Sequence, residues 1–324
     1  MIQVLIFTGG NAMEELEIVP QHQIDGMRIF INRVEYRSPH LHPEWELIWV
    51  LDYPLNITSA QKKYEIQRGE LILFPPNWPH EFHEMEHPCT FLCLQISSRA
   101  FPSTIHLHTD ELRLQSCLPP EDEAWLRKTV LETARVYFTQ ESFSDLFCLG
   151  QCGLILHRLL KFVPSHMMTA EELAHAEQRN TRLTRLMQFV DENFTHKIRL
   201  SDFAQLEGCT VSFLSHFVRE AMNQTFQDYV NSVRFNYARK LIALTDKPMI
   251  SICYEAGFSD YRYFSRSFQS AYGMTPAEYR LSSQSAHAEQ ILPAESLHSR
   301  EKIYTREESL AFLEQFGWEP EAAL

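Results

Sequence analysis

Residues 248–280, PMISICYEAGFSDYRYFSRSFQSAYGMTPAEYR, constrain the fold of this chain more than any other stretch. The spacing predicts two helices joined by a tight turn and followed by a short locking helix. Pro248 can open the first helix, because the first helical residue has no N–H partner to lose. Met249, Ile252, Cys253 and Ala256 then recur on one face at helical period. Gly257 stands where the chain must turn sharply, and glycine takes positive φ without steric cost. Phe258 is expected to plug the core beneath that turn, and Ser259 or Asp260 to cap the next helix. That helix buries Phe264 and Phe268 and presents Tyr261, Arg262, Ser265 and Arg266 to solvent, until Gly273-Met274-Thr275-Pro276 ends it. A helix that exposes arginines and a tyrosine beside a tight turn suits the major groove of DNA.

A second copy of this arrangement lies upstream, in residues 201–223, SDFAQLEGCTVSFLSHFVREAMN. Ser201 is expected to cap a helix with Phe203, Ala204 and Leu206 on its apolar face. Gly208-Cys209-Thr210 forms the turn, and Ser212 to Met222 the second helix, with Phe213, Leu214, Phe217 and Val218 buried. Asn223 falls where a helix-ending left-handed residue is wanted. Thr225 caps a long helix, Phe226 to Leu244, that joins the two units. Leu183, Leu186, Met187 and Val190 give an opening amphipathic helix. The region amounts to seven helices in about a hundred residues, a normal domain size.

These motifs resemble the AraC/XylS family of bacterial transcription regulators over residues 181–280. The matching residues are Ala256-Gly257-Phe258-Ser259-Asp260, Tyr263 to Phe268, and Gly273 to Arg280, with Tyr229 and Arg234 fitting the joining helix. The resemblance implies two helix-turn-helix units that enter successive major-groove segments on one face of promoter DNA. It assigns base reading to Ser212, Ser215 and His216 in the first unit and to Tyr261, Arg262, Tyr263 and Arg266 in the second. Arg219 and Lys247 fall to phosphate. His216 stands where the family usually has arginine, Val218 where it has phenylalanine, Cys253 replaces alanine and Asn223 glycine. The second unit is therefore expected to read bases and the first mainly to position, since phosphate contacts orient without specifying sequence.

Charge follows the same division. The whole chain stands at −13, which excludes a general polyanion binder. Residues 181–280 carry a net +2, residues 1–180 a net −10 and residues 281–324 a net −5. Few phosphates can be neutralised, so nonspecific affinity should be weak and salt-sensitive.

The first 115 or so residues read as short strands broken by Pro, Gly, Asn and Asp: Trp45 to Leu51, Tyr64 to Ile66, Leu71 to Phe74 and Thr90 to Ile96. Asp52-Tyr53-Pro54 and Gln67-Arg68-Gly69 read as turns. Such spacing points to a β-sandwich or barrel. Within it, His40-Leu41-His42-Pro43-Glu44-Trp45-Glu46 puts two histidines and Glu46 at equal parity, on one face of a strand. Gly69, Pro75 and His80 follow. This resembles the cupin fold, whose two motifs supply three histidines and a glutamate around a metal; here the set is His40, His42, Glu46 and His80. The second motif departs at Asn77 and Glu84. Three readings stay open: a divalent metal site, a pocket in which the same groups and Trp78 hold a small-molecule effector, and a structural cluster. Trp45, Trp49 and Phe74 flank the set and suit core or interface. No nucleophile triad and no phosphate-binding glycine loop stands out, so the expectation is not an enzyme and no required cofactor. A metal-dependent cupin enzyme fused to a DNA-binding module is the alternative.

The fold class expected is therefore α+β and multidomain: a cupin-like effector-sensing barrel (1–118), a helical dimerisation segment (119–164), a linker (165–180), an all-α double helix-turn-helix domain (181–283) and a tail of unknown role (284–324). Pro119-Pro120 marks the first boundary, and 121–138 and 143–163 read as helices. The second is apolar most of the way round, through Leu146, Phe147, Leu149, Leu154, Ile155, Leu159 and Leu160, as expected of a buried or pairing helix. A homodimer is the expectation. In the tail only Ser309–Phe316 reads as a short acidic helix. Met1 to Phe7 is too short and uncharged for a signal peptide, and no run approaches the ~18 apolar residues of a membrane span. Seven cysteines without a CxxC pair suit a reducing cytoplasm. The partners that the family resemblance implies are promoter DNA, RNA polymerase and a small effector, a carbohydrate among the candidates, in an activator's role.

Overall fold

The computed structural model describes residues 24–59, 62–83, 87–101, 107–109, 112–222, 224–284 and 299–316. Asn223, Glu84 and the Met1–Phe7 segment lie outside them. Strands β1 (Met27–His40), β2 (Glu44–Val50), β3 (Leu55–Ser59), β4 (Lys62–Ile66), β5 (Leu71–Phe74), β6 (His80–Phe82) and β7 (Cys89–Ser97) form one antiparallel sheet in the order β4-β3-β6-β1-β7-β2-β5. The sheet curls into a nearly closed barrel. The four sequence-predicted strands are present, within two residues at each end.

Successive strand residues face opposite sides, and this sorts the core into two layers. Phe30, Ile48, Val50, Ile72, Phe74, Phe82 and Phe91 fill the barrel interior. Ile29, Ile31, Trp45, Leu47, Trp49, Leu92 and Leu94 form the outer layer, covered by helices α1 (Pro120–Thr139) and α2 (Ser144–Leu159). Trp45 and Trp49 are thus core residues on the face opposite Glu46. Pro119 stands at the N-cap position of α1 and Pro120 is its first residue.

The expected linker is largely helical. Strand β8 (Leu107–Thr109) pairs with β9 (Ser165–Met167), and α3 (Ala170–Asn193) begins immediately afterwards. Thr169 and Glu172 cap α3 reciprocally, a device that fixes a helix start. The Glu, Ala and Gln run that suggests a linker by composition is also a run of good helix formers.

Helices α4 (Leu200–Glu207), α5 (Val211–Met222), α6 (Phe226–Leu244), α7 (Met249–Glu255), α8 (Tyr261–Tyr272) and α9 (Pro276–Gln284) complete the seven expected between 181 and 284. One core gathers α3, α4, α5 and the first half of α6; a second gathers the rest of α6 with α7, α8 and Tyr279 of α9. Ser201 does not cap α4: it lies in the first turn, and Asp202 accepts the Arg199 N–H at 2.8 Å. Leu206 and Phe213, expected inside, are 71% and 47% exposed. Phe213 lies instead under the Arg182 guanidinium, 5.2 Å from its ring.

The tail returns to the sensor. Strand β10 (Ser299–Ile303) pairs antiparallel with Asn32–Arg37 of β1, and α10 (Arg306–Gln315) packs on α1. The expected helix at 309–316 begins three residues earlier, where Thr305 caps it. The strand ahead of it, SREKI, carries three charged residues and gives no apolar alternation to read.

Candidate DNA-reading surface and sensor site

Gly257 has φ +83°, and a Cβ there would stand 2.5 Å from the Phe194 carbonyl oxygen. Glycine is needed on both counts. Arg234 Nε donates to that same carbonyl at 2.7 Å and Nη2 to the His196 carbonyl at 2.7 Å. Its guanidinium also lies over Phe258, which packs on Phe235 at 4.7 Å. One arginine of α6 thus fixes the second unit's turn against the end of α3. Asp260 caps α8, accepting the Tyr263 N–H at 2.6 Å. Phe264 and Phe268 are fully buried, which turns Arg262, Tyr263 and Arg266 outward. Tyr261 is half-buried against the second core.

In the first unit Gly208 ends α4 at φ +63°, and Thr210 accepts the Phe213 N–H at 3.2 Å to start α5. Ser212, His216 and Arg219 are exposed and Ser215 is half-buried. His216 faces Glu220 at 3.7 Å. Lys247 pairs with Glu255 at 2.8 Å, and the pairing holds its ammonium above the usual lysine range. A phosphate would have to compete with that carboxylate. Helix α6, at 19 residues, runs about 28 Å at ~1.5 Å per residue, close to the ~34 Å of one DNA turn.

At one end of the barrel the four expected polar residues do meet, though not along one strand: His40 is the register partner of His80 in the β1–β6 ladder. His40 ends β1, His42 lies in the connection and Glu46 is in β2. Pro43 lacks a ladder donor and falls between the strands. Ligand-type atoms of His40, His42 and His80 lie within 4.8 Å of one another. Glu46 Oε2 is 3.1 Å from His42 Nε2 and 3.0 Å from His80 Nε2. Its other oxygen accepts from Gln95 Nε2 at 2.9 Å and from the Cys93 thiol at 3.2 Å. Gln95 and Cys93 share the inward parity of β7; the sequence placed that strand but gave no reason to join it to Glu46.

Burial would raise the Glu46 carboxyl, but His42 and His80 outweigh it and hold it well below the usual range. Burial would likewise lower His42, yet Glu46 and Glu44 push it up to about 9. His40 and His80 are held below the usual histidine range, mainly by burial. His40 Nδ1 sits 2.9 Å from the Ser38 carbonyl, so it can donate there and leave Nε2 as a lone pair; His80 Nδ1 sits 2.9 Å from the Trp78 carbonyl while its Nε2 faces Glu46 Oε2 at 3.0 Å. Trp78, half-buried against the interior core, donates from Nε1 to Ser59 Oγ at 2.6 Å. It lines a cleft between the Pro75–Pro79 loop and α3 that includes Arg179 and Glu177.

A profile described as an AraC-like ligand binding domain matches residues 29–129, and one described as a helix-turn-helix domain matches residues 203–282. The melibiose operon regulatory protein of Escherichia coli K12 is 22% identical over 273 residues, 78% of this chain and 88% of that protein. The HTH-type transcriptional activator RhaS of Enterobacter sp. 638 is 28% identical over 253 residues, covering 75% and 87%. The solved structure of ToxT from Vibrio cholerae aligns over 79% of this chain and 98% of that one, with 16% identity and a TM-score of 0.40. A ligand-binding barrel joined to a double helix-turn-helix defines an effector-controlled, DNA-binding transcription regulator. The chain belongs to the AraC/XylS family.

Proposed function

We propose that this protein activates transcription as a cytoplasmic homodimer, contacting promoter DNA and RNA polymerase under control of a small polar effector. The observation that carries the reading is α8, whose capped, buried frame presents Arg262, Tyr263 and Arg266 on one exposed face. These residues, with Tyr261 at the helix start, read bases; Ser212, Ser215 and His216 do so in the first unit. Arg219 and Lys247 contact phosphate. Dimerisation uses α2, where Leu146 and Leu154 are 67% and 54% exposed, eight residues apart, with Gly150 between them. The domain division at 119, 165 and 181 stands as a functional one, with α3 carrying the sensor's state into the DNA-binding domain.

A carbohydrate is the first effector class to test, because one relative is named for the melibiose operon. The effector meets the barrel end formed by His40, His42, Glu46 and His80, with Trp78 at its rim. The convergence of three imidazoles, two of them on the Glu46 carboxylate, favours a second reading of the same four residues. They fit a divalent transition ion: neutral imidazole nitrogens and a carboxylate are its usual ligands, and two of the rings are oriented by backbone carbonyls. Such an ion would supply a fixed positive charge that orders the barrel end. No catalytic role is proposed, since the relatives are regulators.

Selection of genomic fragments by the purified protein tests the reading. Two short sequence blocks about one helical turn apart are the expected yield. Absence of any enriched motif at low salt, with and without candidate sugars, would overturn it.

A further inference from the structure

A cleft of about 320 Å³ opens where three separate pieces of the chain meet. Tyr36 comes from the sensor's β1, Arg300 from the tail's β10, and Asn231, Ser232, Asn236 and Tyr272 from the DNA-binding domain. Arg300 is 5% exposed and pairs with Glu35 at 3.5 Å. Its guanidinium lies over both Tyr36 and Tyr272, at 5.9 and 5.5 Å from the ring centres. Tyr272 Oη donates to Asn236 Oδ1 at 3.4 Å, while the amide nitrogen of Asn236 has no hydrogen-bond partner among the described residues although the residue is 3% exposed. A buried donor without an acceptor bears its full desolvation cost, and this one belongs to a residue that lines the cleft. Asn231 Nδ2 donates to Tyr263 Oη at 3.2 Å, so the cleft reaches the exposed face of α8.

Aromatic walls suit a molecule with C–H faces, and planar amides with a hydroxyl suit one with many hydroxyl groups. Among the described residues the lining balances one guanidinium, Arg300, with one carboxylate, Asp228, which favours a neutral ligand. We propose that this interdomain cleft binds a neutral polyhydroxylated small molecule, a sugar or sugar alcohol, that bridges sensor, tail and DNA-binding domain. The proposal rests on the effector-controlled reading above, but places a ligand at the domain junction in addition to the barrel end. A ligand held between Tyr36 and Tyr263 favours the arrangement in which the three walls meet. By linkage it must then change the affinity for DNA, provided DNA prefers a different arrangement.

Calorimetric titration of the full chain with melibiose, D-galactose and myo-inositol tests this. At least one should bind saturably, with the cleft contributing one site per chain. Asn236→Leu and, separately, Asn231→Ala should weaken it about tenfold, the loss of one hydrogen bond to a ligand hydroxyl. His42→Ala should remove only the binding that belongs to the barrel end and leave the cleft's own binding within about twofold, as for independent sites. Thermal melting of each variant checks that it is folded. Binding that survives Asn236→Leu and is lost in His42→Ala would overturn the cleft while keeping the effector reading. No binding of any of the three by a chain that still selects its DNA motif would overturn the ligand class assigned here.

Discussion

At the residue scale, two side chains of the second unit make opposite predictions. Gly257 is required by conformation and by space, so Gly257→Ala should destabilise the chain by at least the ~1–2 kcal/mol of a left-handed non-glycine residue. Urea unfolding of the full protein should show an earlier transition without loss of barrel signal. Arg266 is exposed, its Nε donating at 3.4 Å to the Arg262 carbonyl one turn back, so Arg266→Ala should leave stability nearly unchanged. It should cost ~1–3 kcal/mol of discrimination at one base position, read as a relaxed column in the selected motif; an unchanged motif would remove it from the reading set. Gly257 was legible in the sequence because only a turn explains a glycine between those two apolar patterns. Arg234 fitted the family's pattern, but its role as a clamp on Phe194 and His196 depends on residues about forty positions away.

At the element scale, the tail is the clearest case of structure that local pattern conceals. Strand β10 is held to β1 by its ladder and by Asn32 Nδ2 donating to Glu301 at 2.6 Å. Arg306 donates to the carbonyls of Phe138 and Thr139 at 2.6 and 3.0 Å, closing the end of α1. Leu313 is 1% exposed and Phe316 meets Trp49 edge-on at 5.8 Å. Leu313→Ala should therefore cost ~2–5 kcal/mol, visible as a lower melting temperature of the sensor transition. A freely dangling tail would show no change. Helix α2 bears the other prediction at this scale: Leu146→Lys with Leu154→Lys should shift sedimentation from dimer to monomer and leave the far-ultraviolet spectrum intact. Both leucines were legible as too many apolar residues for one face; which of them stay outside was decided by the packing of Cys148, Cys152 and Ile155 toward α1 and the sheet.

Across the whole molecule, positive charge is confined to the DNA-binding region at a net +2, between segments at −10 and −5. Binding per half-site should thus lose affinity with salt at a shallow slope, no steeper than about −4 on logarithmic axes at ~0.9 for each phosphate neutralised. A markedly steeper slope would mean that many more cations reach the DNA than α5, α8 and Lys247 supply.

The double helix-turn-helix, the Thr225 and Asp260 caps and the buried Phe203, Phe217, Phe264 and Phe268 were written in the sequence, though the places of Ser201 and Phe213 were not, because helical periodicity, capping and turn chemistry act over three or four residues. So were the residue types of the barrel-end cluster. Tertiary structure alone decided how those histidines meet: across a strand break rather than along one strand, around a carboxylate also held by Gln95 and Cys93. It alone carried the tail back to β1 and set Tyr36, Arg300 and Tyr272 together. Contacts between residues hundreds of positions apart leave no local period to read, since strand pairing depends on edges and faces that exist only once the sheet has formed.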